Sequence, residues 1–188
     1  LSLHDALPIS RNFEDKRRIF TSVPPERMTL ICPSQWLADL VAKSFLKGYP
    51  VEVRHNTIDK AVFKPTPSDF RERYGIGDRF MILGVASPWT ERKGLGDFVR
   101  LAGELDSDRY AIVLVGLSAK QMKSLPVGII GLTRTDSPQE LAGIYTTADV
   151  FFNPTVEDNY PTVNLEAEAC GTPVITYDTG GCRETIAD

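Results

Sequence analysis

Five short apolar runs, FMILGVA, YAIVLVG, VGIIG, DVFFN and PVITY, recur between residues 80 and 177, and each is separated from the next by a longer, mixed stretch. The runs carry little polar alternation, which is the pattern of parallel strands covered on both faces rather than of an antiparallel sheet with one wet side. Parallel strands need crossover segments, and helical candidates fill the gaps: Leu95, Phe98, Ala102 and Leu105 recur on one face of one, and Leu141, Ile144, Tyr145 and Ala148 on one face of another. Strand and helix alternating in this way predict an α/β fold, a Rossmann-like doubly wound parallel sheet. Residues 79–188 hold all of it.

Upstream the pattern is thinner. MTLIC is a short apolar run, PSQWLADLVAKSFLKG carries Trp36, Leu40 and Phe45 at helical spacing before Gly48, and VEVRH reads as a strand, so residues 28–56 make one βαβ-like unit. Residues 57–78 gather Pro65, Pro67, Gly75 and Gly77 around a short helical candidate, SDFRERYG, and are expected to be an interdomain linker. Residues 1–27 are expected to be irregular. The first ten, LSLHDALPIS, open without Met and show no usable periodicity, which suits a junction or upstream fragment. RNFEDKRRIF then mixes basic and acidic residues and reads as a solvated surface, with a phosphate-binding patch as the alternative.

Composition narrows the function. Twenty-one Lys and Arg against 25 Asp and Glu give a net charge of −4, which offers no general attraction to nucleic acid or anionic lipid, so any anion site must be local. Three cysteines without a Cys-x-x-Cys pair argue against a disulfide framework and for a reducing, cytoplasmic setting. His4 and His55 are the only imidazoles, neither beside a second His or Cys, so no structural zinc site is expected. No stretch reaches the ~18–20 consecutive apolar residues of a membrane helix, and the opening residues do not show the basic stretch followed by an apolar run that a signal peptide would.

In doubly wound sheets ligands bind beyond the carboxyl ends of the strands, so the loops after FMILGVA, VGIIG and DVFFN are the places to search. The first holds SPWTERKG, where Arg92 and Lys93 stand against Gly94 at a helix start, combining cations with free backbone N–H groups. It is a phosphate cradle or a charged surface turn. No Gly-Lys-Ser/Thr loop and no Gly-x-Gly-x-x-Gly accompany it, which disfavours an ATPase or a dehydrogenase. The last loop leads into NPTVEDNYPTVNLEAEACGTPV, in which Pro161 suits the first helical position and Gly171 the residue just past the end, so a helix of about ten residues contains Glu166. Glu157, Asp158 and Asn159 precede that helix, where capping is their simplest role. Glu166 and Glu168 point in different directions, and spacing alone does not choose between them. Cys170 and Cys182 read as packed small residues, Trp36 as core, and Trp89 as either core or crevice wall; Gly180 and Gly181 suit a plain turn or a close approach to a ligand.

EDNYPTVNLEAEACGTPVITYDTGG resembles the signature segment of retaining, nucleotide-sugar-dependent glycosyltransferases of the GT-B fold (group 1 type), in which two acids straddle seven residues, here Asp158 and Glu166. VASPWTERKG resembles that family's phosphate-contacting loop, ELAGIYTTADVFFNPT its preceding helix and strand, and NTIDKAVFKP its interdomain linker. The resemblance covers roughly Met28 to the end and implies a truncated enzyme: a C-terminal nucleotide-sugar lobe at 79–188, incomplete, with a remnant of the N-terminal acceptor lobe at 28–56. It implies that Glu166 accepts hydrogen bonds from the ribose hydroxyls and that Asp158, with Glu157, faces the donor sugar. Asn159 and Tyr160 would line the donor site beside them. Lys93, helped by Arg92, would neutralise the diphosphate, with the backbone N–H groups of Thr162 and Val163 adding to it, and Gly131 and Leu132 would open the base-binding loop.

The resemblance also implies a nucleotide-diphosphate sugar as donor substrate, no separate cofactor and no metal, and a saccharide or lipid-linked saccharide as acceptor, with no nucleic-acid partner. It places the enzyme in the cytoplasm, with peripheral contact at the inner face of the membrane as an option, in polysaccharide or lipopolysaccharide assembly. Two features depart from the family. Its first acid is usually Glu before a Gly-rich turn, whereas this chain has Glu157-Asp158-Asn159-Tyr160-Pro161, and its usual Arg five residues before the Lys is here Pro88. Either Arg92 substitutes or the diphosphate meets one cation fewer. Two other readings stand beside this one: a donor-binding module without turnover, and a glycoside hydrolase built on two carboxylates, which leaves the Arg92-Lys93 loop unexplained.

Overall fold

The structure, a computed structural model, describes residues 3–186, with side chains described for 9–186; Leu1, Ser2, Ala187, Asp188 and the His4 side chain lie outside the described residues. The chain forms two compact units, Leu1–His55 and Asn56–Asp188.

The first unit carries α1 (Leu3–Phe20), β1 (Leu30–Cys32), α2 (Gln35–Ala42) and β2 (Val51–Val53). The two strands pair in parallel, Ile31 opposite Glu52, as the βαβ pattern predicts. The expectation of an irregular segment over residues 1–27 is corrected by α1. Its exposed face gains from the i,i+3 ion pair of Arg18 with Asp15 at 2.9 Å, and Phe13 packs edge-on against Phe45. A few apolar residues among many charges hide such a helix from a periodicity reading. The helix after MTLIC also stops sooner than Gly48. Ser44 ends it by donating from Oγ to Val41 O at 2.8 Å and accepting from Leu46 N at 3.0 Å, a local alternative to continued helix. Leu40, expected on the core face, is 43% exposed.

The second unit is the doubly wound sheet. It contains α3 (Phe70–Arg73), β3 (Phe80–Val85), α4 (Leu95–Glu104), β4 (Tyr110–Val115), α5 (Ala119–Met122), β5 (Ile129–Leu132), α6 (Pro138–Thr147), β6 (Val150–Asn153), α7 (Thr162–Ala169) and β7 (Val174–Thr176). All pairings are parallel and the strand order is β5-β4-β3-β6-β7. Residues alternate between two cores, one per face of the sheet: Met81, Leu83, Val113 and Phe151 join Tyr145, Phe70 and Ile76 on one side, while Ile82, Ile112, Leu114 and Val150 join Phe98, Trp89 and Leu117 on the other. The central strands are therefore apolar along their whole length, which is why they stand out in the sequence. Gly84 has no side chain because a Cβ there would lie 2.5 Å from the Phe98 ring.

Residues 57–78, expected to be a linker, pack within this unit. Phe70 and Ile76 are buried, and Arg71 donates from Nε to Thr147 O at 2.9 Å while pairing with Asp149 at 2.6 Å, which fastens α3 to the α6–β6 junction. Trp89 is core: its indole N–H donates to Val115 O at 2.8 Å and its ring stands edge-on to Phe98.

Candidate functional site

The strand order reverses between β3 and β6, and the loops leaving their carboxyl ends, residues 86–94 and 154–161, carry the Arg92-Lys93 turn and the Glu157-Asp158 acids. The backbone locks them together. Val156 N donates to Arg92 O at 2.8 Å, and the buried Thr155 hydroxyl lies 3.3 Å from Arg92 O and from Glu157 O. Gly94, at φ 77°, ends a 3-10 turn over Glu91–Lys93, and a Cβ on it would come within 2.5 Å of Pro154 O. Glycine is required there both by the left-handed backbone and by the contact.

That apposition brings Lys93 and Asp158 together, Nζ to Oδ2 at 2.5 Å, with the side chains only 26% and 20% exposed. A third loop holds the acid from behind: Gly181 N donates to Asp158 O at 2.8 Å, Thr179 Oγ1 donates to Val156 O at 2.6 Å, and a Cβ on Gly180 (φ 57°) would lie 2.3 Å from Asp158 O. The glycine pair thus accommodates the Asp158 backbone. Of the two neighbouring acids, Asp158 pairs with Lys93, whereas Glu157 is exposed, as are Arg92 and Asn159. Tyr160 is buried, and burial pushes its phenol up.

The helix after this loop, α7, begins at Thr162 with Pro161 as N-cap, one position later than expected and two residues shorter than the ten-residue estimate. Pro161 contributes no side-chain cap, and Thr162 is half-buried while Val163 packs against the larger core. Asn164 anchors the helix from inside, accepting from Asn153 Nδ2 at 2.9 Å and donating from Nδ2 to Thr185 Oγ1 at 2.8 Å. This buried polar chain ties β6, α7 and the turn after β7 into one frame. An Asn on the buried stripe of a helix was its only sequence signal.

Glu166, half-buried on α7, accepts a hydrogen bond from the Tyr145 hydroxyl at 3.1 Å. Burial raises its carboxyl above the usual range, and the tyrosine bond partly offsets this. Glu168 instead lines a cavity of about 710 Å³ with Lys60, Lys64 and Phe63. Gly131 and Leu132 are strand residues. Gly131 sits under the side-chain ends of Leu125 and Met122, which a Cβ there would have to displace, and Leu132 is buried, its carbonyl taken by Gly116 N and Leu117 N at 2.9 and 3.0 Å. Cys170 and Cys182 are buried free thiols. Among the described residues, no three His, Cys, Asp or Glu side chains converge as metal ligands would, and no helix is long and apolar enough to cross a membrane.

Residues 79–188, more than half of the chain, match the family model described as glycosyl transferases group 1. The GDP-mannose-dependent alpha-(1-6)-phosphatidylinositol monomannoside mannosyltransferase of Mycolicibacterium smegmatis is 32% identical over 82% of this chain and 45% of its own length. The alpha-galactosylglucosyldiacylglycerol synthase of Streptococcus pneumoniae is 27% identical over 87% of this chain and 47% of its own. Among solved structures, the sucrose-phosphate synthase of Thermosynechococcus elongatus aligns with a TM-score of 0.77 at 20% identity, covering 95% of this chain and 46% of that one. Anabaena Alr3699/HepE in complex with UDP-glucose aligns at 0.65 and 21% identity, over 84% and 47%. The chain spans about half the length of the curated relatives it matches.

Proposed function

The chain belongs to the glycosyl transferases group 1 family, and from that premise we propose that it serves the transfer of a sugar from a nucleotide-diphosphate donor to a saccharide or lipid-linked acceptor. The observation that carries this is the Lys93–Asp158 pair, held at the switch point of the sheet just ahead of a helix whose N-cap residue makes no side-chain hydrogen bond. A diphosphate is a stronger anion than one carboxylate. Competing for Lys93, with Arg92 beside it and the N–H groups of Thr162 and Val163 at the positive end of α7, it would release Asp158 toward the sugar.

Freed in this way, Asp158 can hold sugar hydroxyls and offset the positive charge that grows at the anomeric carbon as the bond to the diphosphate breaks. Glu157, Asn159 and Tyr160 stand along the same loop. Glu166 takes the ribose, an ionised acceptor meeting a diol. The end of β5, at Gly131 and Leu132, marks where the base-binding loop starts, with packing rather than side-chain contact as the part those two residues play. The reading includes retention at the anomeric carbon and no metal, since Lys93 and the helix end supply the cationic charge a divalent ion would otherwise bring. Residues 28–56 would belong to an acceptor-binding lobe; a lipid-linked acceptor is in keeping with the relatives' names, and the reading adds a cytoplasmic setting with peripheral contact at the membrane.

A thermal-shift and calorimetric panel of nucleoside diphosphates, their sugars and free monosaccharides tests the reading. Selective stabilisation by one nucleoside diphosphate and its sugar, growing with ligand concentration, supports it. Stabilisation by saccharides alone, without any nucleotide, would overturn it. Product analysis with donor and a pool of acceptors then separates transfer from binding.

A further inference from the structure

We infer that Tyr145 is a positioning residue for nucleotide binding: its buried hydroxyl, bonded to Glu166 Oε2 at 3.1 Å, fixes the carboxylate so that its other oxygen points outward to a ribose. The inference rests on the reading of Glu166 as the ribose ligand. Tyr145 itself is fully buried, wedged edge-on between Phe63 and Phe151 on the α6 face of the larger core. Thr172 Oγ1 donates to its backbone carbonyl at 2.5 Å, which ties this part of α6 to the turn after α7. Ring and backbone are both immobilised, so the hydroxyl direction is set by the core rather than by solvent.

A tyrosine buried among aromatic rings needs a partner for its hydroxyl. Here the partner is a half-buried carboxylate in the middle of α7, in which Asn164 and Ala167 face inward. A glutamate has three rotatable bonds, and an unguided one spreads its oxygens over many directions before a ligand arrives. The tyrosine bond engages Oε2 and so narrows the rotamers open to the side chain, with Oε1 as the oxygen proposed to meet the ribose. Packing requires only the ring; the hydroxyl is explained by Glu166.

The test uses the whole chain with UDP, GDP and ADP and their 2′,3′-dideoxy counterparts, titrated by calorimetry into wild type, Tyr145→Phe and Glu166→Asp, with thermal unfolding of each variant as the check of folding. Tyr145→Phe should weaken the ribonucleoside diphosphate on the order of tenfold, the range for one hydrogen bond to a charged group, and leave the dideoxy ligand within about twofold. Glu166→Asp keeps the charge but is too short to reach tyrosine and ribose together, so it should lose the ribose preference even if Tyr145→Phe proves too unstable to titrate. Equal losses on both ligands, or no loss in either variant, would overturn the positioning role. A wild type that binds a nucleoside diphosphate without preferring ribose would instead remove Glu166 from the ribose, a separate failure that takes the role of Tyr145 with it; binding of none of the six would remove the nucleotide reading and the role together.

Discussion

Lys93 Nζ and Asp158 Oδ2 meet at 2.5 Å although the residues are 65 positions apart, because the loops that carry them leave neighbouring parallel strands at the point where the sheet order reverses. The pair is mostly shielded from water, so each charge depends on the other. Lys93→Met and Asp158→Asn should each destabilise the protein by ~1–3 kcal/mol, between the exposed and fully buried cases, and the double variant should lose less than the sum. Urea unfolding of the four proteins measures this. Lys93→Met should also cost most of the nucleoside diphosphate affinity, whereas Asp158→Asn, which removes a competitor for Lys93, should retain or improve it. Strict additivity and equal affinities would separate the two residues functionally.

Glu166 predicts opposite effects on stability and binding. Its carboxyl is raised above the ordinary value chiefly by burial, so the folded state holds that proton more tightly than the unfolded state. The group's favourable contribution is full below the ordinary range of about 4.3 and is lost as pH rises through the raised value, leaving a cost at neutral pH. Glu166→Gln, which can still accept from Tyr145, should therefore melt higher at pH 7, with the gain fading toward pH ~4. At ~1 kcal/mol the gain would read as about 2–4 °C. The same variant should weaken nucleoside diphosphate binding by ~1.5–3 kcal/mol. Calorimetry and melting curves on one preparation test both signs.

Much of this architecture is legible in the chain because burial on two faces leaves strands such as FMILGV and YAIVLV almost without polar residues. α1 leaves little trace in the sequence because, among its described residues, exposed pairs such as Arg18–Asp15 and a ring contact such as Phe13–Phe45 do not produce an apolar stripe. The loop glycines mark the site, but which acid faces Lys93 depends on Gly180 and Gly181 closing behind Asp158 from more than twenty residues downstream. Tyr145 was visible only as one member of an apolar face. A hydroxyl aimed at a neighbouring helix has no signature in periodicity.

Gly94 and Gly180 should be intolerant of alanine for a reason that Gly103 does not share. Both have positive φ, and a Cβ at either would press on backbone oxygen, Pro154 O at 2.5 Å and Asp158 O at 2.3 Å. Gly94→Ala and Gly180→Ala should each cost ~1–3 kcal/mol and weaken nucleoside diphosphate binding, because relief requires moving the Asp158 loop. Gly103 lies within α4 with open space around it, and Gly103→Ala should stabilise by ~0.5–1 kcal/mol with binding unchanged. Equal responses at the three positions would mean that the loops have slack the geometry denies.

Alkaline pH should weaken the fold through groups that are protonated when buried. Burial raises Cys170, Cys182 and Tyr160, and raises Tyr145 well above its ordinary value, with Glu166 adding to the effect on Tyr145 and Cys170. Released by unfolding, the thiols ionise near ~8.5 and the phenols near ~10, so the unfolded state gives up protons that the folded state keeps. The contribution is complete below about 8 and is lost as pH rises through those values toward the raised folded ones. The urea midpoint should therefore hold steady from pH 7 to 8 and fall between 8 and 10.5. Cys182→Ala, which removes one of these thiols, should flatten the first part of that fall. A wild-type midpoint unchanged to pH 10.5 would mean that these groups reach water in the folded protein, and with them the back of the Asp158 loop.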